Sequence, residues 1–490
     1  MKIVLAAAEA VPYAKVGGLG DVAGGLAPHL ASAGHEVWLV LPKYEAIDYL
    51  HHGFVPRLEQ MGVPTGWGVE WCKVHERIDR SGVRVMLVEN HHYFSRPGLY
   101  GDASGGYPDN GFRFAFFSNA VLQLCRDLHV APDVVHVHDW PTALIPALLK
   151  YRFADDPIWR DCGSVLTIHN LAYQGTFEAS TLSYAGLPTR AMVPDVFEDN
   201  GAANFLKGAI AQADLLSTVS PTYAREILGH VGGCGLHIYL QRRASDLHGI
   251  LNGVDDELWN PATDPHLPAT YSAADLTGKA LCKRALQEEL GLDPDPGAPL
   301  FGIVSRMVEQ KGLDLVCAAL DTLVRHGAQV AVLGTGEPEL EAYFGQAPAW
   351  YPGRVASYVG FSNRLAHRIE AGSDLFLMPS RFEPCGLNQI YSLRYGTPPV
   401  VRATGGLEDT VELYRPETES GTGFKFWDIT VGALLGASLH AIDVYRRRPA
   451  SFEGIVRRGM ALRFTWEDAA QRYVQLYEWA REKRATWRYS

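Results

Sequence analysis

The stretch that decides the fold lies at the start of the chain, where residues 1–8 read MKIVLAAA and residues 15–22 read KVGGLGDV. The first is a short apolar run that predicts a buried parallel strand, and a helix-like run over residues 23–33 follows the second. A strand, a glycine turn and a helix N-terminus in succession often bind an anion, because unpaired N–H groups and the helix dipole favour negative charge. This order predicts a phosphate-binding turn that carries Lys15.

The turn departs from two familiar nucleotide-binding patterns. A P-loop places its lysine after the last glycine, whereas Lys15 precedes Gly17. The dinucleotide fingerprint is met only in a relaxed form, with Ala23 at its third glycine position, and the next strand ends in Pro42-Lys43 without an acidic residue for a ribose. A tight structural turn is the other interpretation that the local pattern leaves open.

The composition is that of a large globular protein. The 490 residues exceed what one hydrophobic core holds, so we expect two large domains. A net charge of −11 argues against nucleic-acid or anionic-membrane partners. Seven scattered cysteines without CxxC spacing indicate reduced thiols and a cytoplasmic protein, and the N-terminal apolar run is too interrupted for a signal peptide.

Short apolar runs recur along the chain in two sets, each typical of a doubly wound α/β unit with a parallel sheet. Ligands bind at the carboxyl ends of parallel strands, so the polar residues that follow these runs are candidate site positions. In the first set they lie at 9, 138–139, 169–170 and 220, and in the second at 305–306, 334–336, 360–361, 379–381 and 402. We predict domains over residues 1–253 and 254–465, with an aromatic-rich helix over 466–490 packing back on the first.

Eight segments at or near these positions resemble, in the same order, those of bacterial glycogen synthases and plant starch synthases. They are KVGGLGDV at 15–22, HVHDW at 136–140, TIHNLAYQG at 167–175, SPTYARE at 220–226, NGVD at 252–255, SRMVEQKGLD at 305–314, PSRFEPCGL at 379–387 and TGGL at 404–407. The resemblance runs from residue 1 to about residue 423. It implies the GT-B fold, in which two Rossmann-like domains face a deep cleft.

The resemblance also implies the reaction. Glucose would move from ADP-glucose to the non-reducing end of an α-1,4-glucan with retention of configuration, so the partners would be a nucleotide-sugar donor and a glucan acceptor. No metal and no cofactor would take part. Without a metal, the protein itself must neutralise the departing diphosphate with fixed cations and aimed N–H groups.

The resemblance assigns the cations of this site. Arg306 and Lys311 would bind the donor's diphosphate, the first as a fork and the second as a point charge. Lys15 and the amides of Gly17 and Gly18 would reach the same phosphates from the other domain when the cleft closes.

Glu383 matches the glutamate that is essential for catalysis in the family, where it acts as a nucleophile or as an orienting and electrostatic group. Cys385 belongs to the same turn, and the amides of Gly386, Leu387 and Asn388 would face the sugar and phosphate from a helix N-terminus.

Tyr391 stands where many retaining GT-B enzymes carry a second glutamate, eight positions after Glu383. This residue puts a mechanism with two carboxylates in doubt. It favours a front-side displacement, in which the leaving phosphate takes the acceptor's proton.

The remaining assignments concern the two sugars. By the resemblance, His169 contacts the 6-hydroxyl of the donor glucose, with Asn170 next to it. Asp139 would line the acceptor side, with Asp21 nearby. Pro141 stands where the family often has a histidine, which leaves acceptor contacts open at that point.

Phe361 ends a predicted strand of the second domain. It would stack on the nucleotide base.

Several alternatives stay open at this stage. The pattern does not separate ADP-glucose from UDP-glucose, and a GT-B synthase with a small sugar acceptor shares the predicted fold. A catalytically silent glucan-binding scaffold is the non-enzyme alternative. The joint presence of Lys15, Arg306, Lys311 and Glu383 argues against the scaffold.

Overall fold

The computed structural model describes residues 1–102 and 104–487, apart from the side chain of residue 487. It forms two compact units: Met1–Gly253, joined by the C-terminal helix from Trp466 onward, and Val254–Thr465. These bounds coincide with those of the two domains derived above. Residues 488–490, the last of the predicted C-terminal helix, lie outside the described part.

The first unit is built on a large sheet with the strand order β14-β13-β9-β8-β1-β2-β5-β4-β3. From β14 to β5 neighbouring strands are parallel, as the apolar runs predict. Short antiparallel sheets join β6 with β7 and β12 with β10 and β11. The strands are β1 Lys2–Ala6, β2 Glu36–Pro42, β3 Val55–Thr65, β4 Gly68–Ile78, β5 Arg84–Glu89, β6 Gly101–Asp102, β7 Gly105–Gly106, β8 Val134–His138, β9 Gly163–Ile168, β10 Thr176–Phe177, β11 Glu198–Asp199, β12 Ala202–Asn204, β13 Leu215–Thr218 and β14 Leu247–Gly249.

The prediction of a wholly parallel sheet is wrong at one edge, where the hairpin of β3 and β4 adds two antiparallel strands. Only two of the eleven residues of β3 are buried, and polar residues interrupt its apolar ones. An edge strand of this kind lacks the continuous apolar run that reveals a strand buried on both faces.

The second unit contains a parallel sheet with the order β17-β16-β15-β18-β19-β20. Five of these strands were predicted from apolar runs. The sixth, β20, is only three residues long and was missed. The strands are β15 Leu300–Val304, β16 Gln329–Gly334, β17 Val355–Val359, β18 Leu375–Met378, β19 Pro399–Arg402 and β20 Phe424–Phe426.

Helices alternate with the strands in both units, as a doubly wound fold requires. Those of the first unit are α1 Gly18–Ser32, α2 His91–Phe94, α3 Asn110–Asp127, α4 Leu144–Tyr151, α5 Ser180–Ala185, α6 Phe205–Gln212, α7 Pro221–Glu226 and α8 His237–Gln241. Those of the second are α9 Thr277–Leu290, α10 Leu313–Arg325, α11 Pro338–Trp350, α12 Asn363–Gly372, α13 Asn388–Arg394, α14 Gly405–Thr410, α15 Val431–Arg447 and α16 Pro449–Ala461. None of the helices in the described part of the chain has the length and apolarity that a membrane crossing requires.

The C-terminal helix α17, Trp466–Trp487, completes the core of the first unit. Its Tyr473 and Tyr477 are fully buried, and Trp466 packs so closely on α1 that a Cβ at Gly25 would collide with its indole ring. The core beneath the strand ends of the first unit is therefore made partly by residues from the far end of the sequence.

Candidate active site

The glycine turn of the first unit is held by Glu9, a buried carboxylate just after β1. Glu9 Oε2 accepts hydrogen bonds from the amides of Val16 at 2.5 Å and Gly17 at 2.8 Å, and Oε1 accepts one from the Tyr100 hydroxyl at 2.7 Å. The prediction that the Gly17 amide is free for phosphate is therefore wrong for this structure, because its hydrogen is already donated. The sequence placed Glu9 at a strand end but gave it no role.

The same turn brings the other predicted residues of this region together. Lys15 Nζ lies 2.7 Å from Asp21 Oδ1 in the first turn of α1. Gly17 is the N-cap of this helix, and the Gly18 amide has no acceptor among the described residues. The Gly18 amide and the half-exposed Lys15 are thus the parts of this turn that suit an anion, and Asp21 pairs with that lysine.

Asp139 joins the ends of two neighbouring strands. It follows β8, adopts a φ of 54°, and accepts a hydrogen bond on Oδ1 from the His169 amide after β9 at 2.7 Å. Burial raises the pKa of Asp139 to about 8, although hydrogen bonds from the amides of His169 and Asn170 act in the opposite direction. The structure therefore brings Asp139, predicted for the acceptor side, into contact with His169 and Asn170, predicted for the donor glucose.

His169 has a neighbour to which the sequence analysis gave no role. His138 Nδ1 lies 2.9 Å from His169 Nε2. His138 alternates with His136 along β8, and residues two apart on a strand share a face. That spacing was the available signal, but only the structure shows that this face meets the end of β9.

Glu383 and Lys311 form the centre of the candidate site in the second unit. Lys311 Nζ lies 2.6 Å from Glu383 Oε2, which also accepts a hydrogen bond from the Ser380 hydroxyl at 3.0 Å. Glu383 is buried and Lys311 is mostly so. Glu383 Oε1 has no hydrogen-bond partner in the described part of the chain and is available to a ligand.

Arg306 lies on the loop after β15 with its side chain exposed. Its Nη2 is 3.4 Å from Gln310 Oε1, and it forms no ion pair with any described residue. Gln310 in turn donates to the Phe382 carbonyl at 3.2 Å, next to Glu383. The predicted diphosphate cations, Arg306 and Lys311, thus occupy one loop, and a glutamine connects that loop to the Glu383 segment.

The TGGL segment supports the backbone of Glu383. The Gly406 amide donates to the Glu383 carbonyl at 3.0 Å. Gly405 has a φ of 46°, and a Cβ there would collide with the same carbonyl oxygen. Glycine is therefore required by close approach and by backbone conformation.

The turn after Glu383 leads into α13. Gly386 has a φ of 72°, Cys385 is buried, and Asn388 Nδ2 donates to the Val304 carbonyl at 2.5 Å. The amides of Gly386, Leu387 and Asn388 have no acceptor among the described residues, as the prediction of a ligand-facing helix start requires.

Tyr391 has a packing role in the second unit. Its ring stacks on Trp259 with 3.9 Å between centroids and 6° between planes, and His367 stacks on the other face of the same indole. Phe361 lies in the loop after β17 with 86% of its surface exposed, so its ring is available to a base. Across the described residues no group of three or more His, Cys, Asp or Glu side chains is arranged to hold a metal ion.

Comparison with known proteins shows the family to which the chain belongs. Residues 2–242 match the family described as the starch synthase catalytic domain, and residues 288–425 match the glycosyl transferases group 1. The chain is 51% identical to a glycogen synthase of Anaeromyxobacter sp. (strain Fw109-5), over 97% of this chain and 99% of the relative. The chain belongs to the glycogen and starch synthase family. A glycogen synthase 1 of Geobacter metallireducens is 47% identical over 99% of this chain and 97% of its own length.

A solved structure of the same family confirms the fold. The catalytic domain of starch synthase IV from Arabidopsis thaliana, bound to ADP and acarbose, superposes with a TM-score of 0.90 at 34% identity over 98% of this chain and 99% of that one. The predicted two-domain α/β glycosyltransferase fold, GT-B, is thus confirmed. As a member of the glycogen and starch synthase family, the chain is a glucosyltransferase that takes glucose from a nucleotide-sugar donor to a glucan acceptor.

Proposed function

We propose that the donor is ADP-glucose and that glucose is added, with retention and without a metal or cofactor, to the non-reducing end of an α-1,4-glucan. The observation that carries the choice of donor is the ADP held by the Arabidopsis starch synthase IV domain, a structure 34% identical to this chain over nearly its whole length.

In this reaction Arg306 and Lys311 stabilise the departing diphosphate. Arg306 supports this role because its guanidinium has no carboxylate partner in the described part of the chain and can fork onto phosphate oxygens. Lys311 is held at one place by Glu383, so its charge needs no reorganisation when the C1–O bond breaks. The amides at the start of α13 and the Gly18 amide with Lys15 add neutralising donors.

Glu383 acts on the sugar. Lys311 and Ser380 both bond its Oε2, which fixes the plane of the carboxylate and leaves Oε1 for a sugar hydroxyl. A negative charge beside the glucose favours the positive charge that develops on the ring. His169 with Asn170 contacts the donor glucose, Phe361 stacks on the adenine, and Asp139 with Asp21 serves the acceptor.

Tyr391 supports a front-side displacement. The residue at this position carries no carboxylate, and its ring is committed to Trp259. The leaving phosphate then takes the proton of the attacking acceptor hydroxyl, and both groups react on the same face of the sugar.

The deciding experiment measures transfer of radiolabelled glucose from ADP-glucose and from UDP-glucose, each with glycogen, glucose 6-phosphate or fructose 6-phosphate as acceptor, with and without EDTA. We expect transfer from ADP-glucose to glycogen that EDTA does not reduce. Preference for UDP-glucose would contradict the assignment of ADP-glucose as the donor. A sugar phosphate as the better acceptor would contradict the assignment of a glucan acceptor. Loss of transfer in EDTA would contradict a metal-free reaction. No transfer under any condition would favour a glucan-binding scaffold.

The state of the cysteines is informative about the cellular compartment of the protein. All seven cysteines lie in the described part of the chain, none of them forms a disulfide there, and five of them are buried. Thiols in this number without a disulfide suit a reducing compartment, which supports a cytoplasmic enzyme. Cell fractionation with an antibody against the chain would test this, and enrichment outside the cytoplasm would contradict it.

A further inference from the structure

The histidines at the ends of β8 and β9 form a connected polar cluster beneath the site of the first unit. His138 Nδ1 lies 2.9 Å from His169 Nε2, and the rings of His136 and His138 are 4.1 Å apart. His136 is bonded on both nitrogens, to the Tyr477 hydroxyl at 2.8 Å and to the Thr167 hydroxyl at 2.6 Å. His136 and His138 are completely buried.

All three rings are neutral at physiological pH. Burial lowers the pKa of His136 and of His169 to about 3, and burial together with the two neighbouring imidazoles lowers the pKa of His138 well below its usual value. A neutral imidazole carries a single N–H, so each ring has one donor nitrogen and one acceptor nitrogen.

Counting hydrogens between His138 and His169 leaves two arrangements. If His169 donated from Nε2, His138 would need to accept on Nδ1 and carry its hydrogen on Nε2. His138 Nε2 is buried without any hydrogen-bond partner, so that arrangement would orphan an N–H donor. An orphaned buried donor is rarer in native structures than an unused acceptor. In the opposite arrangement His138 Nε2 carries no hydrogen and is only an unused acceptor.

We propose that His138 is a positioning residue that fixes the tautomer of His169. His138 donates from Nδ1 to His169 Nε2, so His169 carries its hydrogen on Nδ1 and presents that N–H to the ligand. His169 Nδ1 has no partner within the described residues. A site built to donate there binds an oxygen acceptor such as a sugar hydroxyl.

The surroundings of His138 hold the ring in this orientation. The His138 amide donates to the Thr142 hydroxyl at 2.7 Å, and that hydroxyl donates back to the His138 carbonyl at 3.0 Å. His136 packs against one side of the ring, and His136 is itself held by Thr167 and by Tyr477 of α17. The donor nitrogen of His138 is therefore placed by the strand, the following turn and the C-terminal helix together.

The tautomer can be observed without any reaction. In a ¹⁵N-labelled sample, two- and three-bond ¹H–¹⁵N correlations distinguish a ring with hydrogen on Nδ1 from one with hydrogen on Nε2, and loss of a signal in His169→Gln assigns the residue. We expect the Nδ1–H form for His169 in the unliganded protein. The Nε2–H form, which free histidine prefers, would overturn the proposal. This readout is independent of the proposed function, so each can fail without the other.

The consequence for the reaction rests on the proposed function and uses a matched pair of variants. In His138→Asn the amide nitrogen stands near the position of Nδ1 and can still donate, whereas His138→Leu cannot. We expect His138→Asn to retain kcat/KM for ADP-glucose within about 3-fold, and His138→Leu to lose about 10-fold or more, the effect of one hydrogen bond.

A second donor separates positioning from general disruption. If His138 acts through the N–H that His169 offers to the 6-hydroxyl, His138→Leu should show little further loss with ADP-6-deoxyglucose, which lacks that group. Equal losses for both donors would overturn the positioning role, as would equal activities of the Asn and Leu variants at matched thermal stability.

Discussion

Lys311 Nζ lies 2.6 Å from Glu383 Oε2, and the two residues are 72 positions apart in the chain. Both side chains are largely withdrawn from water. Removing either partner leaves the other charge in surroundings of low polarity, which costs more than the pair itself contributes. In variants of Lys311 or Glu383, activity must therefore be measured together with stability. A substitution that preserves the shape of the side chain separates the two effects best.

Glu383→Gln removes the charge and keeps the shape. We expect kcat to fall by about 10²–10³-fold, because a preorganised charge beside the reacting sugar is lost. Melting temperature and initial rates with ADP-glucose and glycogen would be measured together. The exposed Glu339→Gln on α11 is the matched control and should leave both unchanged. Near-normal turnover in Glu383→Gln would remove Glu383 from the site.

Arg306→Ala should weaken use of the donor. Its guanidinium has no ion-pair partner in the part of the chain that the structure describes, so its loss should cost little stability. We expect kcat/KM for ADP-glucose to fall by about 10²-fold, because the loss of one donor that stabilises developing charge typically has an effect of this size. Arg325→Ala, which removes an exposed arginine whose ion-pair partner is Asp321, serves as control. Unchanged donor kinetics would contradict the phosphate role.

Gly405→Ala should disturb the site through the backbone. The new Cβ meets the Glu383 carbonyl oxygen at a φ of 46°, so the Glu383 segment must move. We expect a loss of about 1–3 kcal/mol in the free energy of unfolding together with lower activity. At Gly432, near the start of α15, a Cβ meets nothing, and Gly432→Ala should be neutral or stabilising. The same behaviour in both variants would refute the close-approach argument.

Glu9→Ala should release the glycine turn. The amides of Val16 and Gly17 lose their acceptor, and because neither residue is buried, each lost hydrogen bond should cost about 1 kcal/mol. Glu9→Gln should be milder, because its oxygen can serve both amides while its amide group donates to Tyr100. Melting temperature and the KM for ADP-glucose report the two effects, with the exposed Glu45→Ala as control. If Glu9→Ala had the same melting temperature and KM as this control, the glycine turn would keep its conformation without Glu9.

Acid should destabilise the first unit through its buried histidines. The pKa of His136 is about 3 in the folded state and about 6.5 when unfolded, so its contribution is complete above pH 6.5 and is lost as the pH falls towards 3. At pH 5, unfolding of the wild-type protein should therefore take up about one proton more than unfolding of His136→Asn. An indicator dye in unbuffered guanidinium counts these protons. The difference should vanish at pH 8, and its absence at pH 5 would mean that His136 is already charged in the fold.

The sequence was sufficient for the parts of the fold that repeat one physical pattern. Buried parallel strands are largely apolar, so β8, β9, β15 and β16 can be recognised from the sequence, and the polar residues that follow them are located at the same time. The hairpin of β3 and β4 escapes this test because its outer surface faces water. For the same reason the most exposed edge of the sheet was the least predictable.

In the site, residue types were easier to predict than contacts. Arg306, Lys311 and Glu383 were identified by motif, but the ion pair of the last two depends on the meeting of two loops. Glu9 and His138 stood at candidate positions but received no role, because each acts on another protein group. A residue whose partner is 31 positions away, as His169 is from His138, carries no local sign of that partner.

The Tyr477 hydroxyl contacts His136 across 341 positions of sequence. Because of this spacing, the core of the first unit begins to be synthesised long before its last contributing residue is made. During translation the strands around His136 leave the ribosome first, but the hydroxyl that caps this histidine is made only after the whole second unit. The nascent first unit must therefore wait with an open seam over its central strands, a state in which a chaperone would find exposed surface. A chain that lacks α17 would leave that seam open permanently.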